Sequence, residues 1–208
     1  MASIFEFLAI LTVGGILVNA TQTPCCFSKR FIANMTIVTG IPIPKDGSNP
    51  VVTENRVHVL YDKDMRRERA NGYILVGTGS NQTKYTYDAL NDYNSGKRYV
   101  FTDNGANCSI TPMGVSQFDH CVPATLKLAS TDVIGSENDV VPVNSWQGMS
   151  GNYMYTYVTA VDGCTPISLT RYGTNEEGSS VMEFMQFSEF IPLSQMDRSH
   201  DLEIPQGC

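Results

Sequence analysis

Apolar residues along this chain return at every second position in short runs, and no long stretch carries the three-to-four residue period of an amphipathic helix. The clearest run is Tyr153 to Val161. There Tyr153, Tyr155, Tyr157, Thr159 and Val161 project to one side, with Met154, Thr156, Val158 and Ala160 on the other. Val57, Val59 and Tyr61 likewise share a face opposite Arg56, His58 and Leu60. Further strands are expected at Tyr73 to Val76, Lys84 to Tyr87, Arg98 to Thr102, Thr125 to Leu128, Ile167 to Tyr172 and Val181 to Phe190. Several of these are apolar on both faces, so neither face is built for water alone.

Turn formers separate the runs. Asn71-Gly72, Asp103-Asn104-Gly105 and Asp162-Gly163 tolerate positive φ, and Asn94-Ser95-Gly96 between two aromatic runs reads as a hairpin tip. The proline-rich stretch Ile41 to Pro50 reads as a surface loop, and acidic Ser130 to Val143 as a loop or short helical excursion. This spacing of strands and turns predicts an all-β fold, an antiparallel sandwich, half-barrel or small barrel. With no internal repeat and no dividing linker, residues 21–208 read as one domain.

The first residues follow a different pattern. Phe5, Phe7, Leu8, Ile10, Leu11, Val13, Ile16, Leu17 and Val18 make an apolar stretch that ends in Val18-Asn19-Ala20, which suits a signal peptidase. Residues 1–20 are therefore expected to be a signal peptide cleaved after Ala20. As a membrane anchor the stretch is short, holds Gly14 and Gly15, and lacks a basic flank. A secreted, extracellular chain without a transmembrane anchor is expected. The formal net charge of −7 carries no basic block for nucleic acid to meet, and a hydrophobic content of 42% argues against disorder. Asn34-Met35-Thr36 and Asn81-Gln82-Thr83 are glycosylation sequons, making Asn34 and Asn81 the expected glycan carriers. A third sequon, Asn107-Cys108-Ser109, holds a cysteine expected to be bridged.

Chemistry-bearing motifs are sparse. Gly77-Thr78-Gly79-Ser80-Asn81-Gln82 lacks the third glycine of a nucleotide loop and precedes a strand, and no Gly-x-Ser-x-Gly elbow exists. His58, His120 and His200 are the three histidines and show no ligand spacing. Asp62 with Asp64, and Asp92 with Asn94, never continue into a calcium loop with a distal Glu, so each reads as a solvated turn. The chain is expected not to be an enzyme and to need no cofactor. Its aromatics and methionines say more. Met182, Phe184, Met185, Phe187 and Phe190 crowd one run, and with Tyr155 and Tyr157 they suit either a sandwich core or an adaptable apolar pocket.

Six cysteines, Cys25, Cys26, Cys108, Cys121, Cys164 and the terminal Cys208, read as a disulfide framework of an exported protein. They allow fifteen pairings, or twelve without a strained bond between the neighbours Cys25 and Cys26.

The order of these cysteines and their surroundings resembles the ependymin-related proteins, secreted glycoproteins. The resemblance runs through Pro24-Cys25, Phe31, Tyr61-Asp62 with Arg67 and Arg69, Tyr87-Asp88, Tyr93, Gly96, Tyr99 and Cys108. It continues in Trp146, Gly151, Tyr153, Tyr157, Cys164-Thr165-Pro166, Phe187, Phe190, Pro205 and Cys208. It implies two curved antiparallel sheets packed as a sandwich or half-barrel around an apolar pocket, stapled by disulfides and assembled as a homodimer. It further implies Cys25–Cys164 and Cys108–Cys208 bridges, which leaves Cys26–Cys121, with Cys25 and Cys26 able to exchange roles. In function it implies a lipid or fatty acid as apolar ligand, a response to calcium, and cell–matrix adhesion. The other reading is an acidic component of an extracellular or calcified matrix, bound to matrix components without a dedicated ligand.

Overall fold

The chain forms eleven antiparallel strands, eight of them overlapping the expected runs, in a computed structural model, which describes residues 23–41, 50–77, 81–102, 107–114, 117–136, 139–175, 178–194, 199–204 and 208. The first six are β1 (Arg30–Ile41), β2 (Val51–Asp62), β3 (Arg67–Val76), β4 (Thr83–Asp92), β5 (Lys97–Thr102) and β6 (Asn107–Pro112). The rest are β7 (Lys127–Ser136), β8 (Asp139–Ser150), β9 (Tyr153–Ala160), β10 (Pro166–Thr174) and β11 (Ser180–Pro192), followed by a 3₁₀ turn, Ser199–Leu202. The expected signal peptide, most of the loop from Ile41 to Pro50 and the Asp103-Asn104-Gly105 turn lie outside the described residues. No helix among the described residues is long and apolar enough to cross a membrane.

The two sheets expected from the resemblance are one. Strands follow the order β6-β5-β4-β3-β2-β1-β11-β10-β9-β8-β7 in a single open sheet. The reason is β1, a strand the sequence pattern did not single out. It pairs with β2 from Arg30↔Asp62 to Ile41↔Val51 and with β11 on its other side, so the hydrogen-bond ladder crosses unbroken between the halves. The sheet bends over its buried face, since Val59 of β2 and Trp146 of β8 belong to one core cluster.

Two other expectations change. Asn71 and Gly72 are not a turn but lie inside β3, where Gly72 faces Val57 and Tyr87 and a Cβ would collide with the Arg56 carbonyl. Ser130 to Val143 is not a loop but the β7–β8 hairpin, paired from Lys127↔Gln147 to Ser136↔Asp139. Asn94-Ser95-Gly96 does form a hairpin tip, with Gly96 at φ 66°.

A bulge sets which side chains reach the core. Asn34 pairs with Glu189 but Met35 with Phe187, so Ser188 is the extra residue, and its hydroxyl donates to the Asn34 carbonyl at 3.1 Å. One added residue reverses the alternation, so Phe187 and Phe190 both join the concave core although three positions apart. Phe190 lies 4.8 Å from the Phe31 ring, which stacks on Tyr61 at 4.7 Å.

Three disulfides staple the sheet: Cys25–Cys164, Cys26–Cys121 and Cys108–Cys208. Cys26 and Cys121 also form an isolated antiparallel bridge, flanked by Phe27 donating to His120 and Val122 to Cys25, each at 2.9 Å. Together they hold Phe27, Val122 and Leu126 against Trp146, whose indole donates to Thr159 at 3.1 Å. On the opposite, convex face a second cluster gathers Leu60, Leu90, Tyr99 and Phe101 under Leu202, which is fully buried. Cys108–Cys208 ties this tail down. Arg67 donates to the Leu202 carbonyl at 3.1 Å, and Arg69 forks onto Asp88 at 2.9 and 3.1 Å.

Asp62 and Asp92, expected in solvated turns, are buried. They stand in one register row with alternating charge, Arg30↔Asp62↔Arg67↔Asp92↔Lys97, across five strands. Asp62 accepts from the Met65 amide at 2.9 Å and pairs with Arg30 at 3.1 Å, pinning the β2–β3 turn. Burial alone would raise the Asp92 carboxyl. Hydrogen bonds from Ser95 and Asn94 and the Arg67 charge outweigh it and hold Asp92 below the usual carboxylate range.

Candidate functional site

The concave face is covered over one half and open over the other. Across β1 to β5 successive register rows place Val59, Ala70, Ala89 and Val100 side by side, followed by Met35, Val57, Gly72 and Tyr87. Small side chains on a bent sheet leave a depression, and the result is a cavity of about 410 Å³. That size falls in the range of small-molecule sites. A second lobe of about 160 Å³ lies between Phe31, Tyr61, Phe118, Met185 and Phe187. Met35, Ile37, Val59 and Glu68 border both lobes. On the convex face a larger but shallower depression of about 580 Å³ is bordered mainly by polar groups such as Asn34, Arg56, His58 and Asn71.

The concave cavity is apolar along its middle and polar at its ends. At one end the row Tyr61↔Glu68↔Asn91↔Arg98 crosses it. One Glu68 oxygen accepts from Asn91 Nδ2 at 3.0 Å and the other from the Tyr93 hydroxyl at 3.2 Å, while Asn91 Oδ1 accepts from Arg98 Nε at 2.8 Å. Burial pushes the Glu68 carboxyl above its ordinary value, against the opposing effect of those two hydrogen bonds and of Arg98. Burial also raises Tyr93, helped by the Glu68 charge. At the other end Tyr87 donates to Asn55 at 2.8 Å beside Ile74 and the exposed ring of Tyr85. Glu68 and Ile74 are six residues apart on β3, a groove of roughly 20 Å.

The pocket residues expected from sequence divide by strand parity. Met185 and Phe187 border the second lobe, and Tyr157 and Tyr155 pack on the concave side, Tyr157 fully within the core. Met182 and Phe184 point the other way, onto the convex face, 55% and 38% exposed. Most of the cavity wall belongs to β2–β5, where sequence singled out no pocket residue. Glu68, Asn91 and Arg98 were missed because no linear spacing joins them. The signal present was a Glu at an inward position, two residues from inward Ala70.

Asn81 is exposed two residues before β4, whereas Asn34 lies within β1, where it donates to Glu189 at 2.5 Å and its oxygen meets His58 Nδ1 at 2.8 Å. Among the described residues, the group of three metal-binding side chains brought together is Cys26, His120 and Cys121, and both thiols are spent in one disulfide.

Comparison with known proteins gives one family. The family model described as Ependymin matches residues 81–208. Comparison with curated proteins returned no match. Among solved structures, an uncharacterized conserved protein from Thermus thermophilus aligns at 12% identity and TM-score 0.45, over 86% of this chain and 88% of that one. A LolA superfamily protein from Nitrosomonas europaea aligns at 12% identity and TM-score 0.32, over 82% and 89%. A beta-barrel-like protein of a domain of unknown function from Brucella abortus aligns at 9% identity and TM-score 0.27, over 82% and 100%.

Proposed function

We propose, for a chain that belongs to the ependymin family, that the concave cavity of β1–β5 binds a small amphipathic lipid and that the protein is a secreted, non-enzymatic carrier or receptor of it. The observation that carries this reading is the cavity itself: about 410 Å³ walled by Val57, Val59, Ala70, Ala89 and Val100, with polar side chains confined to its ends. An apolar wall gives affinity roughly in proportion to the lipid surface it covers, and a few fixed polar groups give orientation. Three disulfides fit an oxidising compartment, and exposed Asn81 fits a glycan there. The lipid site is the reading carried forward, because the cavity offers it a built surface.

The test uses Nile red, a neutral fluorophore that brightens in apolar surroundings. Wild-type protein is expected to enhance its emission saturably, and Ala89→Leu, which places a larger side chain in the cavity, to abolish most of that enhancement while still folding. Equal enhancement by both proteins would sink the assignment of this cavity.

A further inference from the structure

We propose that Glu68 determines ligand class, docking an uncharged hydrogen-bond-donating head group such as a lipid alcohol and rejecting a fatty-acid anion. This inference rests on the lipid-binding reading above. Glu68 stands where the two lobes meet, so a chain lying through both passes its carboxyl. Its two oxygens each accept one hydrogen bond, from Asn91 and Tyr93, which leaves acceptor capacity unused on both. A hydroxyl supplies that donor. A carboxylate supplies none and brings a second negative charge beside a largely desolvated one, where like charges repel more than they do in water.

The groups facing Glu68 do not reverse this. Tyr61 stands opposite on β2, Tyr87 and Tyr93 approach from β4 and its turn, and each is held neutral because burial raises its phenol. Strands β1 and β11 and the segment through Phe118 add apolar side chains to the lobe Glu68 borders. Among the described residues Arg98 on β5 is the one cation of the cavity wall, and it is exposed at the rim, with its Nε committed to Asn91. As pH falls, Glu68 takes up a proton above the usual carboxylate range, because burial raises it. Its repulsion of an anion then disappears.

The experiment displaces Nile red from the full, disulfide-intact protein with 1-decanol or decanoate, two probes of equal chain length. Near about pH 8 decanol is expected to bind wild type about tenfold more tightly than decanoate, and Glu68→Gln to shrink that gap to about twofold. Lowering the pH from about 8 should tighten decanoate on wild type more than on the Glu68→Gln protein, where only the ligand's own protonation contributes. Decanoate binding wild type as tightly as decanol at the higher pH would overturn the proposal. So would a decanoate preference removed by Arg98→Gln, which would put the head group on Arg98. If Nile red itself is not taken up by folded wild-type protein, the lipid-binding reading fails, and this inference falls with it.

Discussion

The two halves of this one sheet bury their surfaces in opposite ways. On β7–β11 the concave face is filled: Trp146, Tyr157 and Leu169 pack under Val122 and Leu126, which two disulfides and a short bridge hold in place. Its convex face leaves Met149, Tyr172 and Met182 exposed. On β1–β6 the concave face joins that filled core at Phe31, Ala33 and Tyr61 and then opens into a cavity, while the convex face carries the second core, closed by the C-terminal tail. A bent sheet needs packing on at least one face to stay ordered. By placing that packing on the convex side of β2–β6, the chain leaves the inner side free for a ligand.

This division gives the largest expected contrast to two substitutions on concave positions. Trp146→Ala removes a side chain with no exposed surface, together with the partner of Thr159, and should cost about 3–5 kcal/mol. Ala89→Leu adds bulk on the same face of the same sheet but toward the cavity, so its stability should stay within about 1 kcal/mol of wild type. Urea unfolding of both proteins checks the pair. Comparable losses would mean that the β1–β6 cavity is as tightly packed as the filled half.

Cutting the staple of the open half comes next. Cys108→Ser with Cys208→Ser frees a bridge between residues 100 apart, for a loss of about 2–4 kcal/mol. Its local consequence is sharper. Leu202 loses its tether over Leu60 and Leu90, and Arg67 loses a fixed acceptor. Limited proteolysis should therefore cut the tail of the double variant first, and Nile red enhancement should fall with it. Unchanged dye binding after tail release would show that the convex packing does not shape the cavity.

How much of this was legible depends on range. Alternation marked Tyr153 to Val161 and Val181 to Phe190 as strands, because period two is a local property of backbone geometry. It passed over β1, although inward Phe31, Ala33, Met35 and Ile37 alternate with an outward set that holds polar Asn34 and Thr36, because apolar Ile32 and Val38 on that same outward face blur the contrast. Asn71-Gly72 read as a turn, yet Gly72 serves a close strand approach that only the β2 register reveals. The family resemblance named disulfide partners that spacing left open. It could not place the cavity wall, because Glu68, Asn91 and Arg98 meet through register across three strands. Met182 and Phe184 were assigned to the pocket with Met185 and Phe187 because composition, unlike register, does not distinguish the faces of a strand.

The smallest expected effect tests whether the filled half is dry. Tyr157 lies in that core, and its hydroxyl has no hydrogen-bond partner among the described residues. A buried hydroxyl left unpaired carries a desolvation penalty, so Tyr157→Phe should raise stability by about 1 kcal/mol rather than lower it. The ring, set in the register row between Trp146 and Leu169, is kept. The checking measurement is the urea midpoint at constant slope. A drop in midpoint would mean that the hydroxyl is satisfied by buried water, and the β7–β11 half would then hold a polar site of its own instead of serving as the solid counterpart to the cavity.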